Sequence, residues 1–355
     1  MNRYLRQEAL PYFGKEKQVL VGTAKVLIIG AGGLGCPAAL YLAGAGVGKL
    51  IIADSDFVHI SNLHRQTIFK ESQLGSSKAE ALCKHLRSLN SEISIESIES
   101  DIDYSNVREI IASVDIVLDC TDNLPSRYLI NDACTILEKP FVSASIFKHE
   151  GQIGTFNYHG SGTYRCLFPS IDSHVPSCED VGVLGPLTGI LGSFQANEAI
   201  KIITGIGEII KDKILLINIL NNTTSSFGYL KNETAIQAVL EDGLKSHRPT
   251  NELSACEIGI DELTNIDKGH LFYFDVREEN EKMLRSFSNA VFMPLSRIDP
   301  VKIQVSKEAE IVCFCHSGIR SQQAAKLLRG FGWKHVRSFK GSMDDLARNN
   351  LILEN

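Results

Sequence analysis

Hydrophobic and polar positions along the first half of the chain alternate between short apolar runs and longer stretches with helical spacing. Apolar runs occupy residues 25–29 and 49–53, and a stretch rich in small residues lies between them at residues 34–46. Runs of that length predict strands, and the stretch between them predicts a helix. A strand, a helix and a second strand in this order predict a βαβ unit.

The same alternation continues toward residue 150. It predicts strands at residues 93–98, 115–119 and 141–144 and helices at residues 76–90, 106–112 and 126–138. Strands that alternate with helices form a mostly parallel sheet covered on both faces. We therefore predict an α/β fold.

The pattern changes after residue 151, where three strands of an antiparallel extension are predicted at residues 152–158, 213–218 and 223–230. Between the first two of them lie a loop rich in glycine, proline and serine at residues 160–186 and a predicted helix at residues 187–203. A loop of that length inside a compact domain is usually functional or mobile.

A second pattern of strands and helices begins near residue 258, after a polar stretch at residues 241–254 that has little to bury. A chain of 355 residues is long enough for two units with separate cores. We therefore predict a first domain over residues 1–245, a linker over residues 246–257 and a small α/β domain over residues 258–355.

Composition narrows the cellular setting. The hydrophobic fraction is 44% and no apolar run reaches the roughly 18 residues that cross a bilayer. The first residues lack the apolar core of a secretory signal, and nine cysteines without regular spacing fit a reducing compartment. The net charge of -6, without a long basic stretch, argues against nucleic-acid binding. We expect a cytoplasmic protein that spans no membrane.

Four glycines follow the first predicted strand and lead into the helix: Gly30, Gly32, Gly33 and Gly35. Glycines at such a turn let the backbone approach a phosphate, and the helix N-terminus favours negative charge. Asp54 ends the next strand, where a carboxylate can accept hydrogen bonds from ribose hydroxyls. The pattern predicts a Rossmann-like nucleotide site, and taken alone it points to a nicotinamide dehydrogenase.

Residues soon after Asp54 change that interpretation. Asn62, Arg65 and Lys78 place an amide and two cations where phosphates would lie, and a dehydrogenase has no need for them. Fixed cations stabilise the charge that develops on a leaving pyrophosphate. Asp122 follows another strand and is a candidate ligand for Mg²⁺ on the phosphates. A solvated face for the two cations and a helix cap for Asp122 remain the alternatives.

These motifs, together with residues 3–7, 61–66 and 120–123, resemble the ubiquitin-activating-like family that includes MoeB, ThiF and HesA. The resemblance covers about residues 1–230. It implies an adenylyltransferase that uses ATP and Mg²⁺ to activate the C-terminal glycine of a ubiquitin-like sulfur carrier protein. It also implies a homodimer.

The resemblance further implies the residues of the site. Those in contact with ATP are Gly33, Asp54, Ser61, Asn62, Arg65, Lys78, Asp122 and Asn123. Arg6 would reach the phosphates from the neighbouring subunit. Cys178 marks the position at which some members bond the activated carrier, although a lone loop cysteine is more often inert.

The sequence departs from the family at the structural zinc site. Relatives hold the ion with two Cys-x-x-Cys pairs, whereas Thr163 to Cys166 keeps one cysteine and the sequence has no second pair. One thiolate of four cannot form a closed zinc site. We predict no structural zinc, and elemental analysis that finds one tightly bound zinc per chain would contradict this prediction.

Cys315 lies between the predicted strand at residues 310–314 and a predicted helix at residues 321–331. Backbone N–H groups of such a loop, the helix N-terminus and Arg320 favour a thiolate or persulfide there. The same spacing also describes a phosphatase loop. Cys313, Cys315 and His316 could be metal ligands, but the set is too small for a closed site.

Three further segments favour a sulfur site, because residues 258–353 resemble rhodanese domains at residues 274–277, 293–296 and 336–341. The resemblance implies that Cys315 carries sulfur. We therefore expect carrier adenylylation followed by sulfur transfer from a Cys315 persulfide, giving a thiocarboxylate for molybdopterin or thiamine synthesis. The sulfur donor stays open. An NAD-binding oxidoreductase and a non-catalytic interaction protein of the same fold are the alternatives.

Overall fold

The computed structural model describes residues 2–170, 182–247, 257–266, 271–299, 303–315, 318–341 and 343–354. The chain divides into two compact units, Met1–Arg248 and Pro249–Asn355. Each unit has a sheet of its own. None of the helices within the described ranges is long and apolar enough to cross a membrane.

The first unit is built on one eight-stranded sheet in the order β3-β2-β1-β4-β5-β6-β7-β8. The strands are β1 Lys25–Ile29, β2 Lys49–Ala53, β3 Ser94–Ile98, β4 Ile116–Asp119, β5 Phe141–Phe147, β6 Glu150–Phe156, β7 Lys213–Asn218 and β8 Thr223–Gly228. The first five pair in parallel, and the last three are added antiparallel. The predicted parallel sheet with an antiparallel extension is confirmed.

Helices cover both faces of this sheet. They are α1 Leu5–Glu8, α2 Gly14–Thr23, α3 Gly35–Ala45, α4 Lys78–Leu89, α5 Val107–Ala112, α6 Leu124–Ile136, α7 Tyr164–Leu167, α8 Gly185–Thr204 and α9 Glu233–Asp242. Short 3-10 turns lie at Ile60–Asn62, Glu71–Gln73 and Lys245–His247.

Strand β1 is buried on both faces of the sheet. Val26 and Ile28 belong to one hydrophobic core with α3, α4 and α8, whereas Leu27 and Ile29 belong to a second core with α5 and α6. Full burial of such a side chain contributes about 1.5–3 kcal/mol. The two-sided burial explains why the strand reads as a continuous apolar run.

The N-terminal segment is anchored at the C-terminal end of α3, far from the glycines that precede this helix. The Tyr4 hydroxyl accepts a hydrogen bond from Asn90 Nδ2 at 2.9 Å. Gly46 ends α3 in a left-handed conformation with φ +83°, and an added Cβ would lie 2.5 Å from the Tyr4 ring. Helix α1, which carries Arg6, follows directly after this anchor.

The second unit is a five-stranded parallel sheet in the order β11-β10-β12-β13-β9. Its strands are β9 Glu257–Ile258, β10 Leu271–Asp275, β11 Ala290–Phe292, β12 Glu310–Phe314 and β13 His335–Phe339. Its helices are α10 Ile260–Thr264, α11 Glu279–Leu284, α12 Ile319–Gly330 and α13 Met343–Arg348, with a 3-10 turn at Leu295–Arg297. Hydrophobic clusters cover both faces of the sheet.

The first part of the polar stretch at residues 241–254, from which the linker is predicted, is folded into the first unit. Helix α9 continues through Asp242, and a 3-10 turn follows at Lys245–His247. The His247 imidazole lies 2.7 Å from the buried carboxylate of Asp132 on α6, and Arg165 pairs with the same carboxylate at 2.7 Å. Residues 241–247 are therefore part of the first unit, because their polar groups find partners there.

Candidate active sites

The carboxyl ends of β1 and β4 form the point where the strand order of the first sheet reverses. From β1 the chain proceeds outward to β2 and β3, and then returns to β4 on the other side of β1. Ligands of open α/β sheets bind in the crevice at such a point. Gly30 follows β1 and Cys120 follows β4, so both predicted nucleotide-binding loops lie at this crevice.

The glycine loop is packed too closely for side chains at two of its positions. Gly30 has φ +100°, and a Cβ on it would lie 2.6 Å from the Cys120 carbonyl oxygen. A Cβ on Gly35 would lie 1.8 Å from the Gly30 carbonyl oxygen. The loop therefore turns tightly against β4 and exposes backbone at the start of α3, which is the geometry that a phosphate requires.

Substituting Gly35 with alanine is expected to disrupt the first unit, because the new methyl group would overlap the Gly30 carbonyl. Gly44 lies in the same helix and has nothing within 4 Å of an added Cβ. Gly44→Ala should therefore raise the free energy of unfolding by about 0.5–1 kcal/mol. Thermal unfolding of both variants checks the prediction, and equal stability of the two would contradict it.

Asp54 fastens the glycine loop to β2. Its carboxylate accepts hydrogen bonds from the backbone N–H of Ala31 at 2.6 Å and of Asp56 at 2.8 Å. Burial raises the pKa of Asp54, and the nearby Lys78 opposes that shift. The predicted ribose-binding carboxylate thus lies beside the glycines, as its position in the sequence indicated.

The two predicted cations have different surroundings. Lys78 is buried at the start of α4, and its ammonium group donates to Asp56 at 2.8 Å. The Arg65 guanidinium donates to the Ser61 carbonyl at 3.1 Å, and within the described part of the chain no carboxylate pairs with it. Asp56 was missed by sequence reasoning, because only the fold places its carboxylate on Lys78.

The N-terminal end of α8 joins the glycine loop to the segment that carries Asn62 and Arg65. A Cβ on Gly33 would lie 2.9 Å from Thr188 Cγ2, and Thr188 Oγ1 lies 3.4 Å from the Arg65 carbonyl oxygen. A Cβ on Gly185 would lie 2.5 Å from the His64 carbonyl oxygen. Thr188 is a site residue that sequence reasoning missed, since more than 120 residues separate it from Arg65.

Gln66 is a further buried polar residue of this region. Its side chain is next to Gly32, where an added Cβ would lie 3.6 Å from Nε2. Gln66 is 2% exposed, and Oε1 has no hydrogen-bond partner among the described residues. A buried amide oxygen without a partner is costly, so the group fits a site that receives a polar ligand.

A buried ion pair fixes the loop after β4. Arg127 on α6 donates to Asp119 at 2.8 Å and to the carbonyl oxygens of Thr121 and Ala144. Asp119 also accepts from Ser143 at 2.6 Å. Removal of one partner of such a buried pair typically costs about 3–5 kcal/mol. Sequence reasoning missed this network because its members come from three separate elements.

Asp122 and Asn123 extend from that loop in different ways. Asn123, not Asp122, caps α6, because its Oδ1 accepts from the Ser126 N–H at 2.9 Å. Asp122 is exposed, and its carboxylate has no partner among the described residues. A carboxylate in that position is available for Mg²⁺, whose preferred ligands are oxygens.

Cys315 follows β12 at the carboxyl edge of the second sheet. Its sulfur accepts a hydrogen bond from the Gly318 N–H at 3.1 Å and lies 3.6 Å from Ser321 Oγ. Gly318 has φ +82°, a left-handed conformation that favours glycine, and it is the residue before α12. The Cys315 sulfur thus receives one backbone donor next to the start of α12.

Two arginines of the second unit, Arg320 and Arg277, pair with carboxylates. Arg320 pairs with Glu281 through two hydrogen bonds, at 2.5 and 2.9 Å. Arg277, which is 2% exposed, pairs with Asp275 at 2.6 Å. Sequence reasoning predicted the cation Arg320 but missed its partner Glu281.

Two sequence profiles match the chain. The profile of the ThiF family matches residues 4–236, and that of the rhodanese-like domain matches residues 261–349. The chain belongs to the ThiF family. Both resemblances drawn from the motifs are confirmed.

Relatives of this ThiF family protein share both parts. The protein named adenylyltransferase and sulfurtransferase MOCS3-1 of Zea mays is 36% identical over 98% of this chain and 81% of its own length. The MOCS3 protein of Drosophila sechellia is 36% identical over 98% of this chain and 83% of its own. That of Dictyostelium discoideum is 48% identical over 61% of this chain and 52% of its own. These names confirm the predicted pairing of an adenylyltransferase with a sulfurtransferase.

Solved structures of E. coli MccB resemble the ThiF family chain. The complex with MccA-N7isoASN has a TM-score of 0.59 and 25% identity, over 65% of this chain and 73% of that chain. The complex with ATP has a TM-score of 0.58 and 25% identity, over 65% of this chain and 72% of that chain. The predicted fold class is thereby confirmed.

Cys166 lies at the position of the first Cys-x-x-Cys pair of the family's zinc site, and its sulfur accepts hydrogen bonds. Cys166 Sγ accepts from the backbone N–H groups of Thr163 and Asn232, both at 3.3 Å. Asn232 in turn caps α9 through the Ala235 N–H at 3.1 Å. In this ThiF family member these hydrogen bonds join α7 to the start of α9. Cys178, the predicted carrier-binding cysteine, lies outside the described residues.

Proposed function

We propose that this protein adenylylates the C-terminal carboxylate of a ubiquitin-like sulfur carrier protein with ATP and then converts it to a thiocarboxylate with sulfur carried on Cys315. One observation carries the proposal: a nucleotide crevice built on glycines and cations and a hydrogen-bonded cysteine loop occur in one chain. The names of relatives that share both domains support it. The expected setting is the cytoplasm.

In the first reaction the carrier carboxylate attacks the α-phosphorus of ATP, and pyrophosphate leaves. No general base is needed, because a terminal carboxylate is already ionised at neutral pH. Arg65 and Lys78 stabilise the charge on the phosphates, and Lys78 exchanges its partner Asp56 for a phosphate oxygen. Asp122 would hold Mg²⁺, which supplies further positive charge to the phosphates. The ATP-bound relative MccB supports nucleotide use.

The remaining predicted site residues surround the same nucleotide. Gly30, Gly32, Gly33 and Gly35 hold the phosphates with backbone N–H groups, and Asp54 holds the ribose. Ser61, Asn62 and Asn123 contribute polar contacts. In a homodimer, Arg6 reaches the phosphates bound by the partner subunit. Arg6 is exposed on α1, and Tyr4 anchors this segment at the end of α3 that is remote from the glycines. This position fits a role in the partner's site.

In the second reaction a Cys315 persulfide attacks the activated carbonyl, and AMP leaves. The product is an acyl disulfide between the carrier and Cys315. A thiol then attacks Cys315 Sγ, which releases the carrier thiocarboxylate and leaves a disulfide that a cellular thiol reduces. In the form of this step in which Cys178 holds the carrier, AMP leaves when the Cys178 thiol attacks the adenylate, and the Cys178 thiolate leaves when the persulfide attacks the resulting thioester. The covalent link between the domains raises the effective concentration of the sulfur donor.

The test is carrier-dependent exchange between ATP and radiolabelled pyrophosphate, followed by mass spectrometry of the carrier. Exchange should require a carrier with a free C-terminal glycine. With a sulfur donor, the carrier mass should increase by the replacement of one oxygen by sulfur. Protein that ignores ATP and instead saturates with a reduced nicotinamide would overturn the proposal in favour of an oxidoreductase.

A further inference from the structure

Arg320 lies in the chain between Gly318 and Ser321, two residues that contact the Cys315 thiol. Gly318 donates its N–H to Cys315 Sγ at 3.1 Å, and Ser321 Oγ lies 3.6 Å from the same sulfur. Ser321 is also held by Ser338 Oγ at 2.8 Å and by the Gly318 carbonyl. Arg320 lies between Gly318 and Ser321 in the first turn of α12. Its charge therefore acts on any donor that reaches the sulfur.

Glu281 neutralises that charge. Both Glu281 oxygens accept from Arg320, at 2.5 and 2.9 Å, and the Glu278 N–H donates to Oε2 at 2.9 Å. The Arg320 side chain is 12% exposed and that of Glu281 is 26% exposed, so water screens the pair only in part. Although burial alone would raise it, the hydrogen bond from Arg320 and the charge of that guanidinium lower the pKa of Glu281.

The second cation near the loop is neutralised as well. Arg277 Nε and Nη2 donate to the two oxygens of Asp275 at 2.8 and 2.6 Å. Two cations are thus balanced by two carboxylates in this region. A sulfur donor with two negative charges is therefore attracted much less strongly than it would be by an Arg320 without a carboxylate partner.

We propose that Glu281 sets the donor specificity of the sulfur site by cancelling the charge of Arg320, which disfavours dianionic donors such as thiosulfate relative to persulfides. A persulfide carries at most one negative charge on its sulfur pair. This inference rests on the proposed function, because it concerns the loading of Cys315.

The loading step is balanced without an outside oxidant or reductant. The Cys315 thiolate attacks the outer sulfur of the donor, and a bond forms between Sγ and that sulfur. The bond from the outer sulfur to the rest of the donor breaks. The electron pair leaves with sulfite when the donor is thiosulfate, or with a thiolate when it is a persulfide. Glu281 takes no part in these bonds and acts only through Arg320.

The experiment compares Glu281→Gln with the wild-type full-length chain, using thiosulfate and cysteine persulfide as donors. Cyanide removes the sulfur from Cys315 as thiocyanate, which gives kcat/KM for each donor. The ratio of the two kcat/KM values does not depend on the fraction of folded protein. Glu281→Gln should raise the thiosulfate-to-persulfide ratio by about tenfold or more, and the increase should shrink at high salt.

Two further variants control the result. Glu279→Gln removes a carboxylate from the same helix, but this carboxylate pairs with exposed Arg297, so the ratio should stay at the wild-type value. Arg320→Gln leaves Glu281 uncompensated and should lower the ratio. An unchanged ratio in Glu281→Gln, or an equal rise in Glu279→Gln, would overturn the inference. Failure of the wild-type chain to load Cys315 from either donor would overturn the inference and the sulfur-transfer half of the proposed function.

Discussion

Cys315→Ala is expected to reduce thiosulfate-dependent sulfur transfer to background while carrier-dependent ATP–pyrophosphate exchange continues at the wild-type rate. The reason is that Cys315 Sγ is the group that forms the new sulfur–sulfur bond, whereas the glycines and cations of the nucleotide crevice belong to the other unit. Thiocyanate formation measures the first activity and label exchange measures the second.

Cys313 offers the matched control for that variant. It lies on the same strand, but it is fully buried in a hydrophobic cluster, and burial raises the pKa of its thiol. Cys313→Ala should therefore retain sulfur transfer at a rate close to that of the wild type. Loss of both activities in Cys315→Ala, with folding intact, would contradict the assignment of adenylylation and sulfur transfer to separate units.

Arg65→Ala is expected to lower kcat for carrier-dependent exchange by about 10²- to 10³-fold, the typical cost of removing one group that stabilises transition-state charge. The guanidinium contributes little to folding, because its described contacts are the Ser61 carbonyl and the neighbouring His64 ring. The unfolding temperature should therefore change by only a few degrees.

Lys70→Ala is the control for Arg65, since Lys70 is an exposed cation five residues along the chain. Exchange by that variant should match the wild type. Sulfur loading of Cys315 should persist in both variants. If Arg65→Ala exchanged label as fast as Lys70→Ala, Arg65 would belong to a solvated face, as the sequence alone left open.

The bounds of several strands agree more closely with the sequence-based prediction than those of the helices. Strands β1, β2, β7 and β12 have the bounds that their apolar runs predicted. Helices α6 and α8 begin two residues earlier than predicted, and both contain a proline in the first turn. Proline is tolerated there because the first N–H groups of a helix have no partner inside the helix. In α6 the Asn123 side chain caps the helix, so the helix begins directly after this cap and includes the proline.

The sequence predicted the functional groups of the two sites but not the residues that hold them in place. Asp56, Thr188 and Glu281 each contact a predicted site residue from a distant part of the chain. Motif spacing describes neighbours along the chain, whereas these contacts depend on how the strands and helices pack. The same reason explains why the polar residues before residue 248 resembled a linker.

The Asp132 carboxylate contacts both Arg165 and His247, and these contacts determine where a recombinant first domain should end. Hydrogen bonds from Arg165 and His247 lower the pKa of Asp132 although its burial opposes the shift. A recombinant first domain that stops at residue 245 loses His247, so this carboxylate loses one of its hydrogen-bond partners. A fragment that retains His247 keeps both contacts, and it is the better starting material for crystallisation or for binding measurements with carrier proteins.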